Sequence, residues 1–223
     1  MWMPGSEYKG IAVLDIDGVL ANSIPRFVEL NNAFFKTKID VSEYSDNWSK
    51  TRWHEGYTEE AFALRNGVEW VEYMEGTDFY RTLPVMAGAV EKTEYMCNVL
   101  RLRLELLTSR RKEFLDDTLL WLKANFPNTH FYGPTLLGAY DSLSVSASAA
   151  KKTKGELVVQ LGATSLMDDC PKHVLSVVGS NASGILFGTG PEAMAMSPRE
   201  EPWLYRAKNW SEAIEIYKLL YAS

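Results

Sequence analysis

Asp15 and Asp17 stand one residue apart at the end of an apolar run, in "IAVLDIDGVLANS", residues 11–23. Gly18 and Val19 follow at once. Such a run suits a strand buried in a parallel sheet. Two carboxylates at its carboxyl end lie where open α/β sheets place their ligands. The glycine permits a tight turn and a close approach by a ligand. Two further apolar runs end in polar clusters. "LRLELLTSR", 102–110, closes on Thr108, Ser109 and Arg110, and "ATSLMDD", 163–169, closes on Asp168 and Asp169. Lys154 opens the segment that leads into the second of these.

Carboxylates from different strand ends make a hard-oxygen site suited to Mg²⁺, which takes few protein carboxylates and keeps room for water and phosphate. A hydroxyl flanked by backbone N–H groups suits a phosphate oxygen, and a lysine adds a point charge. A carboxylate can itself accept a phosphoryl group as the nucleophile. A second carboxylate two residues on points the same way along a strand and could move the proton. Each cluster alone is as readily a turn, a helix cap or a solvated loop. Three in this order, each closing an apolar strand, point to one shared phosphate and metal site.

The elements that must position these residues follow from periodicity. Strands are expected at 11–17, 102–110, 129–133, 163–169 and 184–188. Helices are expected at 24–36, within 83–100, at 112–127, at 154–162 with Gly162 as its cap, and at 212–222 with Ser211 as its cap. Residues 134–150 and 189–203 read as loops. Strand and helix alternate, which predicts an α/β fold: a parallel sheet with helices on both faces and all strand ends at one edge. Residues 37–83 differ, with nine aromatics (Tyr44, Trp48, Trp53, Tyr57, Phe62, Trp70, Tyr73, Phe79, Tyr80) among acidic residues. They read as a small helical insert. Its aromatics form its own core, or one or two of them stack on a substrate base.

The 223 residues suffice for one α/β domain with an insert, and 46% hydrophobic with 23% charged residues is ordinary for a globular protein. A net charge of −6 argues against a polynucleotide partner. Cys97 and Cys170 have no metal-ligand spacing and read as free thiols of a reducing compartment. No apolar h-region and no run near ~20 apolar residues occurs, so a cytoplasmic protein away from membranes is expected. His54 and His130 receive no role, and His173 reads as a surface helix residue.

With these motifs the sequence resembles the haloacid dehalogenase (HAD) superfamily of phosphohydrolases. "DIDGV" resembles its first motif, "LLTSR" its second, Lys154 its third and "MDD" its fourth. The "TSRR…WLKANFP" and "KGELVVQLGATSLMDDCPKHV" runs and the "LFG…PW…NW" ending are similar to bacterial members of the 5'-nucleotidase C-like branch, which includes the 5'(3')-deoxyribonucleotidases. The resemblance covers most of the chain outside the insert. It implies a Rossmann-like three-layer αβα core, residues 1–23 and 84–223, with a helical cap, 24–83, inserted after the first strand. It also implies Asp15 as nucleophile and Mg²⁺ ligand. Asp17 would be the general acid/base, with its main-chain carbonyl on the metal. Thr108 would bind the transferring phosphoryl group, helped by the backbone of Gly18 and Ser109. Lys154 would neutralise phosphoryl charge, and Asp168 would complete the metal site with Asp169 beside it. Lys151 and Lys152 are the alternatives to Lys154. Arg110 reads as a phosphate ligand or as half of a salt bridge at the start of its helix. "GAYDSLSVSAS" matches nothing in the branch.

The activity so implied is Mg²⁺-dependent hydrolysis of a small phosphomonoester, with a nucleoside monophosphate as the leading substrate. A sugar phosphate or other metabolite is the competing one. A non-catalytic phosphate sensor ranks last, because no motif residue is missing. Oligomeric state is not readable from the sequence.

Overall fold

A computed structural model of the chain describes residues 8–43, 72–73, 76–136, 152–190 and 203–221. Among them run β1 (Gly10–Leu14), α1 (Ile24–Phe35), α2 (Phe79–Thr82), α3 (Ala89–Asn98), β2 (Leu102–Thr108), α4 (Leu115–Asn125), β3 (Phe131–Leu136), α5 (Lys154–Gln160), β4 (Ser165–Asp168), α6 (Pro171–Leu175), β5 (Ser183–Phe187), β6 (Leu204–Ala207) and α7 (Trp210–Leu220). The strands form one sheet in the order β3-β2-β1-β4-β5-β6, and every neighbouring pair is parallel. Helices cover both sides, giving the α/β architecture expected from the alternation of strand and helix.

Side chains along a strand point alternately to the two faces. Ala12 and Leu14 of β1, with Leu102, Leu104 and Leu106 of β2, face a core that includes Met96 of α3, Trp121 of α4 and Trp210, Ile214 and Tyr217 of α7. Val13, Leu107 and Leu166 face the other side, against Val158 of α5 with Val177 and Ala182. β1 is central and buried on both faces, which is why its sequence reads as a near-continuous apolar run.

Several boundaries differ from expectation. β6 follows directly on the stretch expected to be loop and is not foreseen; "LYRA" is an edge strand with only its end residues buried, so it carries no apolar run. β3 extends to Leu136, beyond the expected 133. The helix expected from 112 opens with a 3₁₀ turn at Lys112–Phe114 before α4. The terminal helix starts at Trp210, and its cap is Asn209, not Ser211: the Asn209 side chain accepts from the N–H of Glu212. α5 begins with a capping box between Thr153 and Glu156 and is followed by Gly162 at φ 62.

The segment after β1 leaves and returns at one point. Asn22 N–H donates to Pro84 O (2.8 Å), Met86 N–H donates to Leu20 O (2.7 Å), and Ala21 pairs with Val85. Six of the nine insert aromatics lie outside the described residues. Phe79 and Tyr80 are buried in the main core beside Phe27 and Phe114, and Tyr73 packs on Phe34. No described helix is long and apolar enough to cross a membrane. "GAYDSLSVSAS" and Lys151 lie outside the described residues.

Candidate active site

Register brings the motif residues together. Leu14 pairs with Leu106 on one side and Met167 on the other, so Asp15 lies one step past a pairing with β4, next to Asp168. The backbone N–H of Asp15 still donates to Met167 O (2.9 Å), which fixes where its side chain starts. The 16–22 turn that follows is locked by Gly18 N–H to Ala21 O (2.9 Å) and Ala21 N–H to Ile16 O (2.8 Å). The Trp210 indole N–H of α7 donates to Val19 O (2.9 Å) and braces the same turn. Gly18 holds φ 75, and a Cβ there would sit 1.8 Å from Asp169 Oδ2. The Asp169 carboxylate therefore lies over a backbone that only glycine provides.

Lys154, at the first position of α5, has a fully buried side chain that lies between two carboxylates. Its Nζ donates to Asp168 Oδ2 (2.6 Å) and lies 2.9 Å from Asp15 Oδ1. One buried ammonium is thus shared by two carboxylates, and Lys154 is the one side chain among the described residues that balances the charge of Asp15 Oδ1. Asp168 is better served. Its Oδ1 accepts from Cys170 N–H (2.9 Å), and His173 Nδ1 lies 3.2 Å from both its oxygens.

These surroundings separate the two carboxyls. Burial pushes Asp15 up to about 6; Lys154 opposes the rise, while Asp168 and Asp17 add to it. Burial also works to raise Asp168, but the Lys154 ammonium and the His173 contact outweigh it and hold that carboxyl at about 2. Burial would lower Lys154, yet its two carboxylates win and keep it firmly protonated. Cys170 is pushed up to about 12 by burial and by Asp168, so its thiol is no nucleophile at neutral pH.

Asp15, Asp168 and Asp169 each offer an oxygen within 4.8 Å of the others. Three carboxylates meet one ammonium there, leaving surplus negative charge. This donor set fits a hard divalent cation such as Mg²⁺.

Thr108 ends β2 on the adjacent strand, fully buried, with its Oγ1 accepting from Arg110 N–H (3.2 Å). Ser109 follows, half-buried. Asp17 is turned to Arg110 in a two-pronged pair, Nε to Oδ2 at 2.8 Å and Nη2 to Oδ1 at 2.9 Å. Arg110 thus forms an ion pair, and its partner is Asp17 in the turn after β1, not a residue at the start of its own helix. His173 is not a mere surface residue, since it contacts Asp168. Pro171 at the head of α6 marks where that helix begins, but not that residue 173 turns back towards Asp168.

The sequence matches no family model and no curated protein. Solved structures do share the fold. A HAD family hydrolase from Deinococcus radiodurans, with bound phosphate and sodium, superimposes with TM-score 0.57 at 16% identity over 95% of this chain and 96% of its own. A protein from Lactobacillus plantarum provisionally named a phosphoglycolate phosphatase gives 0.57 at 14% identity over 94% and 100%. One from Bacteroides vulgatus provisionally named a β-phosphoglucomutase gives 0.55 at 16% identity over 98% and 93%. The likeness is one of fold, the Rossmann-like α/β architecture of HAD proteins.

Proposed function

We propose that this chain hydrolyses phosphate monoesters of small metabolites through an aspartyl-phosphate on Asp15, with Mg²⁺ held by Asp15, Asp168 and Asp169. The observation that carries the reading is the buried Asp15 carboxylate at the carboxyl edge of the sheet, within 4.8 Å of Asp168 and Asp169 oxygens and 2.9 Å from the Lys154 ammonium. The arrangement suits a nucleophile whose charge is balanced by a cation and left open to a reacting atom. Mg²⁺, when bound, supplies the positive charge that lets an anionic carboxylate meet an anionic phosphate.

The remaining roles belong to the chain. An Asp15 oxygen attacks phosphorus and the ester P–O bond breaks, with Asp17 giving a proton to the leaving oxygen. Water then attacks the aspartyl-phosphate, Asp17 takes its proton, and the bond to Asp15 breaks to release inorganic phosphate. Lys154 balances charge across both steps. The Thr108 hydroxyl and the backbone at Gly18 and Ser109 cradle the phosphoryl oxygens. The structural neighbours named as phosphatases and hydrolases support this class of reaction.

Residues 24–83 serve as the cap over this site. The paired departure and return at Ala21 and Val85 supports an insert. A nucleoside monophosphate is the finer substrate reading, supported by the aromatic content of the insert. A sugar phosphate or related metabolite competes with it. The neighbours named for phosphoglycolate and β-phosphoglucose chemistry favour that alternative, as does the commitment of Phe79 and Tyr80 to the core.

The test is phosphate release from 5'- and 3'-nucleoside monophosphates and from sugar phosphates, each with Mg²⁺, with EDTA and with Asp15→Asn. Release that needs Mg²⁺ and Asp15 supports the hydrolase. Release from nucleotides alone selects the nucleotidase, and release from sugar phosphates alone selects the metabolite phosphatase. Full activity of Asp15→Asn overturns the mechanism.

A further inference from the structure

We propose that Arg110 is a positioning residue that aims Asp17, and not a ligand of the substrate phosphate. This rests on the hydrolase reading above, in which Asp17 moves the proton. The Arg110 side chain is 1% exposed, whereas that of Asp17 is 23% exposed. The arginine is thus held by its surroundings and the aspartate is not. Nη1 donates to Thr118 Oγ1 (2.9 Å), and that hydroxyl donates onward to Phe114 O (2.7 Å). The guanidinium carbon lies 4.3 Å from the centre of the Tyr80 ring, and Tyr80 is itself packed on Phe114. The backbone N–H of Arg110 is tied to Thr108. A helix hydroxyl, an aromatic face and the end of β2 therefore fix the plane of the fork.

With that plane fixed, Nε and Nη2 engage both oxygens of Asp17 at 2.8 and 2.9 Å and set the rotation of its carboxylate. A fork of this kind uses one lone pair on each oxygen and leaves the others for a proton or a water. Nε and Nη2 are engaged by the carboxylate and Nη1 by Thr118, so each guanidinium nitrogen already serves a protein partner and the fork is committed to aiming Asp17. A proton-transfer group works only while correctly aimed, so a rigid fork behind a partly exposed aspartate acts on rate and not on affinity. Lysine cannot replace the fork, because it is a point charge on a flexible stem.

The experiment uses the full chain and compares wild type, Arg110→Met, Arg110→Lys and Thr118→Val. It reads kcat and KM on the best substrate of the panel and the Kd of inorganic phosphate, by calorimetry with Mg²⁺ present. For both Arg110 variants kcat is expected to fall by about 10²-fold or more, the scale of a lost acid–base contribution, with KM and the phosphate Kd within about 2-fold. Thr118→Val removes one anchor without touching the pair and is expected to lower kcat several-fold in the same pattern; it also carries the test if Arg110→Met fails to fold. A rise of KM and phosphate Kd with kcat kept would overturn the proposal in favour of a phosphate ligand. An unchanged kcat, or full rescue by lysine, overturns it as well. A wild type that releases phosphate from nothing overturns the hydrolase reading itself, a result distinct from an active wild type with indifferent variants.

Discussion

Asp15→Asn is expected to make the metal-free protein more stable at neutral pH while abolishing its activity. Burial raises the Asp15 carboxyl from 3.8 to about 6. Each tenfold change in proton affinity is worth about 1.36 kcal/mol, so the ionised side chain costs the native state about 3 kcal/mol above pH 6. Below pH 3.8 both folded and unfolded states hold the proton and the cost vanishes. This group thus favours folding at low pH, and its contribution is lost as pH rises from 3.8 through about 6. Asparagine carries no charge at any pH and escapes this cost, which is already net of the attraction to Lys154, and Lys154 keeps its other partner, Asp168, 2.6 Å away. The net gain at pH 7.5 is about 1–3 kcal/mol, or a rise of roughly 3–10 °C in Tm for a chain of this length. Urea unfolding of both proteins in EDTA, from pH 8 to pH 4, measures it. The difference should shrink towards zero at the acid end. A variant less stable than wild type at pH 7.5, or a difference that does not change with pH, would refute the account of Asp15 as a strained buried anion.

Three further outcomes are expected. Mg²⁺ at ~100 times its Kd should stabilise the wild type by about 2.7 kcal/mol against thermal unfolding, and EDTA should reverse the effect; Asp168→Asn should abolish the response. Gly18→Ala forces a Cβ onto the Asp169 carboxylate at a positive φ, so calorimetric Mg²⁺ affinity should fall by about 10-fold or more, the order seen when a ligand is misaligned. Asn209→Ala should cost about 1 kcal/mol in urea unfolding, the value of a lost cap, whereas Ser211→Ala should cost almost nothing.

The strands that end in the candidate site residues are legible because they are central. β1, β2 and β4 are buried on both faces, so each is an apolar run, and a polar cluster at the end of such a run stands out sharply from what precedes it. β6 lies at the sheet edge, half its residues meet solvent, and the run disappears. Asn209 and Ser211 are both good cap residues by type. Only the bond from Glu212 N–H selects Asn209, and that bond is a matter of geometry, not of composition. Arg110 is legible by its position after β2 but not by its partner, since Asp17 is 93 residues away in the chain. His173 is hidden by a short helix whose direction over Asp168 sequence does not state. For the aromatics of residues 37–83, order along the chain does not say which ring packs in a core and which meets a ligand.

The turn that carries Asp17 and Gly18 is braced by Trp210, 191 residues downstream of Val19. That spacing has a temporal meaning. During synthesis the first strand and its turn leave the ribosome long before their brace exists, and the carboxylates they present must wait for α7. Closing so long a loop is slow and is rewarded only late, so the brace joins the turn well after the local bonds between Gly18 and Ala21 and between Ala21 and Ile16 can form.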